Sequence, residues 1–222
     1  MKRTSKLALA AVALSAALSL SGCVGDGIKP ASNAFDPPAN YDMKPVIYLY
    51  PQQPTRVSVK LDYAGEFTCT YPEYGDGWTV TAYPDGRLYN HADGREYTTL
   101  FWEGRSQVEY DMREGFVVSS EDTAAFLEEK LEFLGLNVKE RNEFILYWLP
   151  QLQQNPYNLI CFQQDAYTQA AKLYLDPEPD SLIRVFMTYQ ALQEPFSVPE
   201  QNLARSERSG FTVVEWGGRE VR

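Results

Sequence analysis

From residue 44 onward the chain falls into short stretches of alternating polarity. Val57, Val59, Leu61 and Tyr63 are separated by Ser58, Lys60 and Asp62. A period of two predicts a strand with one buried face. The pattern resumes over Phe67–Tyr71 after Gly65, and again at Trp78, Val80 and Ala82. Pro45–Tyr50 is a continuous apolar run closed by Pro51 and predicts a further strand. Pro84-Asp85-Gly86 predicts a tight turn, because Pro fixes φ at the second position and Gly supplies a positive φ. A return strand then covers 87–89. Asp93-Gly94 predicts a second turn before a strand over 97–102. Closely spaced strands with turns between them predict an antiparallel β-sandwich for residues 44–115.

The period changes after Gly115. Ser119 with Asp122 fits a capping box ahead of a helix whose Phe126, Leu127, Leu131 and Leu134 share one face, with Gly135 as its stop. Asn137 with Glu140 repeats the start signal for a second helix carrying Phe144, Ile145, Trp148 and Leu152. Pro150 should kink or end it. Strand patterns return at 159–162, 167–175 and 182–189, the last two joined as a hairpin by the DPEPD run at 176–180. Phe211–Trp216 reads as a final strand. The expected fold class is α+β and β-rich: the sandwich of 44–115, then a mixed α/β half over 116–222 packed on it, with two helices and a terminal strand set.

The beginning of the chain has a different texture. Lys2, Arg3 and Lys6 precede a 14-residue apolar run, Leu7–Leu20. A membrane-spanning helix takes about 20 residues, so this run is too short to span and reads as an export signal over residues 1–22. It ends Leu20-Ser21-Gly22-Cys23, which resembles the lipobox of bacterial lipoproteins. The resemblance implies cleavage between Gly22 and Cys23 and a lipidated Cys23 at the extracytoplasmic face of a cell membrane. Acyl chains gain about 0.8 kcal/mol per buried methylene, and two or more give a stable anchor in the bilayer. Residues 23–43, rich in Gly, Pro, Ala and Asp, read as a tether of roughly 25 Å reach.

Composition narrows the partners. Net charge is −10. Loss of Lys2, Arg3 and Lys6 leaves 17 basic against 30 acidic residues, or −13. Such a body is repelled by nucleic acid. Aromatic residues make up 14% of the chain. Strands account for that, since they favour aromatics; an aromatic surface for sugars or peptides is the functional alternative. Cys69 and Cys161 either pair in an oxidising envelope or, the favoured reading, stay free as small apolar residues inside strands.

KPVIYLYP at 44–51, GWTVTAYPDGRL at 77–88 and LFWEG at 100–104 resemble one family of exported proteins. Its members typically end in segments like the IRVFM and GFTVVEWGG found here. The resemblance implies that both halves belong to one unit, and it carries over no catalytic residue.

The residues offer little specific chemistry. His91 is the only histidine and sits in a turn, so a triad enzyme has little to draw on. His91 and Asp93 could donate two metal ligands, but no further ligand accompanies them, and neither metal nor cofactor is expected. Two triplets stand out: Trp102-Glu103-Gly104 and Glu215-Trp216-Gly217. Their plain reading is a core Trp, a solvent-facing Glu and a strand-ending Gly. In the alternative, Glu103 and Glu215 face each other across a cleft as a glycosidase pair, or Trp102 and Trp216 stack on a sugar ring. Arg184, Arg205, Arg208 and Arg219 either grip an anion or balance local acids. The expected role is a membrane-anchored binding module for a glycan or an envelope protein. The alternatives are a carbohydrate hydrolase using Glu103 and Glu215, or a structural partner in an envelope complex.

Overall fold

The computed structural model describes residues 40–222. The expected export signal, Cys23 and most of the expected tether lie outside the described residues; the tether's expected end at Met43 is corrected, since Tyr41, Asp42 and Met43 are buried in the first strand. The elements in chain order are β1 (Tyr41–Tyr50), β2 (Thr55–Tyr63), β3 (Gly65–Tyr71), β4 (Trp78–Ala82), β5 (Leu88–Asn90), β6 (Arg95–Tyr97), β7 (Leu100–Ser106) and β8 (Phe116–Ser119). There follow α1 (Thr123–Phe133), α2 (Val138–Leu152), β9 (Tyr157–Gln163), α3 (Asp165–Ala170), β10 (Ala171–Asp176), β11 (Ser181–Leu192) and β12 (Thr212–Glu220). The described residues are α+β and β-rich, with 45% of them in strands and 17% in helices.

Two sheets result. The larger has seven strands in the order β3-β7-β1-β12-β11-β9-β8, and the smaller has five in the order β10-β2-β4-β5-β6. All pairings are antiparallel except β11 with β12. Alternation sorts the side chains of the larger sheet between two cores. Val46, Tyr48, Ile160, Val185, Val214 and Trp216 face α1 and α2, whose Leu127, Leu131, Phe144, Trp148 and Leu152 cover them. Ile47, Leu49, Leu100, Trp102, Phe186 and Val213 face the smaller sheet, whose Val57, Val59, Trp78, Val80 and Leu88 complete a second core. The described residues therefore form three layers: helices, large sheet, small sheet.

Several expectations change. The division at residue 115 is not a boundary between compact units, because the described residues 40–222 all fall in one. In the larger sheet β1 lies between β7 and β12, and in the smaller β10 pairs with β2. The sandwich thus draws strands from both halves. The expected hairpin across DPEPD is instead a crossing between sheets, since β10 and β11 belong to different ones. The expected strand over 167–175 begins only at Ala171, and residues 165–170 are helical. That turn brings Tyr167 and Ala170 onto one side, and the Tyr167 ring stacks on Phe186 at 4.0 Å between centroids.

The helix signals hold in different degrees. The Asn137–Glu140 capping box forms in full: Glu140 N–H donates to Asn137 Oδ1 at 3.0 Å, and Asn137 N–H to Glu140 Oε2 at 2.8 Å. Ser119 accepts from Asp122 N–H at 3.2 Å and donates to Asp122 Oδ2 at 2.7 Å, but this pair sits just ahead of α1, whose N-cap is Asp122. Pro150 falls near the end of α2, which stops at Leu152. Among the described residues, no helix is long and apolar enough to cross a membrane.

Candidate functional site

The glutamates of the two Trp-Glu motifs sit on opposite faces of the larger sheet. Trp102 and Glu215 point toward the smaller sheet, and both are fully buried. The Trp102 indole N–H donates to Glu215 Oε1 at 3.1 Å. The Arg184 guanidinium grips Glu215 Oε2 at 2.6–2.7 Å. Glu103, one residue from Trp102, must point the other way, toward α2. The pairing expected of Glu103 and Glu215 across one cleft is therefore not built. Side chains on opposite faces of a sheet cannot flank one glycosidic bond. Trp102 and Trp216 are 0% and 1% exposed, so neither offers a ring to a sugar. Their plain reading as core residues is correct, whereas Glu215 is buried rather than solvent-facing.

Buried charge recurs along the space between the sheets. Asp42 and Arg219 pair at 2.7 Å. Arg219 also donates to Ser106 Oγ at 2.6 Å and to the Val108 carbonyl at 2.9 Å, while Tyr63 donates to Asp42 Oδ2 at 2.6 Å. Burial pushes the Asp42 carboxyl above its usual range, and the Arg219 charge opposes that rise. On the helix side Arg208 holds the buried Glu140 at 2.8 Å. Arg184, Arg208 and Arg219 thus balance acids, as one of their two readings held. Arg205 is exposed. His91 is exposed in its turn, with Nε2 2.9 Å from Thr81 Oγ1. Cys69 and Cys161 are both free, the first exposed and the second buried.

An open groove lies on the α2 face, beside Glu103. The register of β1 slips between Met43 and Val46 against β12 and between Asp42 and Val46 against β7. At that bulge Lys44 adopts φ +61°, a conformation that favours glycine. Its N–H donates to Glu103 Oε1 at 3.1 Å. Its ammonium lies over the Phe101 ring at 5.3 Å and over Tyr147 at 5.5 Å. Tyr41 donates to Glu103 Oε2 at 3.4 Å. Burial raises the Glu103 carboxyl above its usual range, against these hydrogen bonds and the Lys44 charge. The Tyr147 phenol is pushed up to about 12, by burial first and then by the charge of Glu103.

From Lys44 the groove runs along Tyr48, Tyr147 and Glu143, with Thr98 and Thr99 as its opposite wall, and holds about 360 Å³. Tyr48 donates to Glu143, which also pairs with Lys139 at 3.1 Å. Leu146 stands at the rim, 76% exposed. The groove thus offers ring faces, hydroxyls and a carboxylate in one concavity. Sequence reasoning found Glu103 and missed Lys44, Tyr147 and Glu143. Lys44 opens the KPVIYLYP motif, yet nothing in its alternation announces a bulge.

Fold and site together define a two-sheet α+β protein with buried charge between the sheets and an open aromatic groove beneath α2. Over 88 residues the chain is 43% identical to a protein of Butyrivibrio fibrisolvens described as "Uncharacterized protein in bglA 3'region"; the match spans 38% of this chain and 81% of that protein. The chain belongs to the same family as that protein. No family model matches the chain, and neither does any solved structure.

Proposed function

We propose that this protein is an extracytoplasmic lipoprotein, tethered through acylated Cys23, whose body is a non-catalytic module that binds a saccharide in the groove under α2. The observation that carries the reading is the Lys44 bulge. A lysine held at positive φ, ammonium against two aromatic rings and backbone N–H on a half-buried carboxylate, is an outlier that needs surrounding support. Such strain gathers at ligand sites. A saccharide suits the groove for chemical reasons. Its C–H faces pack on Tyr147 and Leu146, and its hydroxyls match Thr98, Thr99 and Glu143. With Glu215 buried on the opposite face, the Glu103–Glu215 pair that hydrolysis would need is not built, which favours binding.

Membrane attachment rests on the basic start, the short apolar run and the Leu20-Ser21-Gly22-Cys23 end of the leader. Cys23→Ser should release the protein from the membrane fraction; retention of the variant there would remove the anchor from the reading. For the groove, the test is a glycan array probed with the body lacking its leader. Binding to a defined glycan set is expected, weakened about tenfold by Tyr147→Ala, equivalent to about 1.4 kcal/mol. If no glycan is retained, or if Tyr147→Ala binds as well as the parent, the saccharide assignment is wrong.

A further inference from the structure

A second concavity lies at the far edge of the larger sheet. There β8 is the terminal strand, paired with β9 alone. Ser120 N–H donates to the Pro156 carbonyl at 3.1 Å. With the register Phe116↔Ile160 and Val118↔Asn158, the even-numbered residues of this stretch bond to β9. The odd-numbered ones turn their backbone groups outward. Gly115 fits that parity, since its N–H donates outward at 2.9 Å to the carbonyl of Pro199, in the irregular segment joining β11 to β12. Ser119 fits it too, with its carbonyl accepting from the Thr123 hydroxyl at 2.7 Å. Val117 lies between them. Among the described residues nothing bonds to its outward N–H and C=O.

Cavities flank this stretch. One of about 340 Å³ runs along residues 115–118 between Phe126 of α1 and Phe196 of the β11–β12 connection. Another of about 440 Å³ continues past Phe133 and Leu203 to Arg205. The two share Phe116, Glu129, Lys130 and Glu200. Phe196 is 49% exposed and Phe133 39%. The Lys130 ammonium is already engaged, 5.1 Å over the Phe116 ring and 2.9 Å from Glu129. Glu200 has no ion-pair partner among the described residues.

The geometry points to β8 as a docking edge for an extended peptide segment of another protein, one with alternate aromatic or aliphatic side chains and a basic residue among them. The backbone requirement comes from Val117, whose outward N–H and C=O can bond one residue of an added strand. The apolar requirement comes from Phe116, Phe126, Phe196 and Phe133 along the groove. The basic residue answers Glu200, which has no ion-pair partner among the described residues, in a chain of net charge −10. This surface is separate from the saccharide groove and does not depend on it.

The probe is an array of synthetic peptides about six residues long, an ordinary strand length. They carry Phe or Leu at alternate positions and Lys or Glu between them, and binding is read by fluorescence polarisation. The Lys peptides should bind and the Glu peptides should not. N-methylation of the peptide backbone should weaken binding about tenfold, the effect of a lost hydrogen bond of roughly 1.4 kcal/mol. Val117→Pro should do the same. Proline is tolerated on an edge strand where its missing N–H faces away from the ladder, and an unchanged melting temperature shows that the variant folds. Glu200→Lys should reverse the charge preference. The proposal is overturned if no peptide binds, or if binding is indifferent to both N-methylation and Val117→Pro. It is likewise overturned if sedimentation shows a dimer that Val117→Pro dissolves, since a second copy would then fill the edge.

Discussion

Glu215 gives the most direct check on how the layers are held. Its carboxylate is fully buried, bound at 2.6–2.7 Å by Arg184, whose side chain is only 6% exposed, and it accepts the Trp102 indole N–H at 3.1 Å. Glu215→Gln preserves the volume and an acceptor for Trp102 but removes the negative charge. Arg184 is then left buried without compensation. Breaking a buried pair in this way costs about 3–5 kcal/mol. For a body of this size each kcal/mol shifts the melting temperature by about 2–4 °C, so a drop of roughly 6–20 °C is expected. Thermal melts followed by circular dichroism, with urea midpoints as a second measure, read the effect. The pair replaced together, Arg184→Met with Glu215→Leu, leaves no orphaned charge and should recover most of the loss. That recovery defines a coupling energy between the two residues. A melting temperature unchanged in Glu215→Gln, or a double variant as unstable as the sum of its singles, would refute the ion-pair account.

Three further outcomes follow from the same geometry. The Glu103 carboxyl is raised above its ordinary 4.5 mainly by burial. Its contribution to stability is therefore fully present below about pH 4.5 and is lost as pH rises through the folded value. Urea midpoints of the parent should accordingly fall relative to Glu103→Gln from about pH 4.5 upward, and parallel curves would contradict this. Gly218→Ala places a Cβ 2.5 Å from the Met187 carbonyl oxygen and 2.8 Å from Trp148 Cζ2; overpacking of about 1–3 kcal/mol is expected by urea denaturation, and a neutral variant would show that β11 and α2 can yield there. Asn137→Ala removes the cap of α2 and should cost about 1 kcal/mol by the same assay, whereas Asn137→Gly should lose only a few tenths.

The sequence determined what is local. The strands at 55–63 and 78–82, the two long helices and the Asn137–Glu140 cap were legible because alternation, helical spacing and capping are set by residues a few positions apart. The class of fold followed from those elements. Tertiary structure decided the rest. No local pattern says that β12 returns to lie beside β1, or that β10 leaves β11 for the other sheet, because such pairings are chosen by burial among distant segments. The same holds for the site. Trp102-Glu103 and Glu215-Trp216 look alike in sequence, but the bonding order β7-β1-β12 and the alternation of each strand send their glutamates to opposite faces. One is locked in the interior with Arg184, and the other is left at a groove whose shape depends on a bulge that only the packing of β1 between two neighbours could impose.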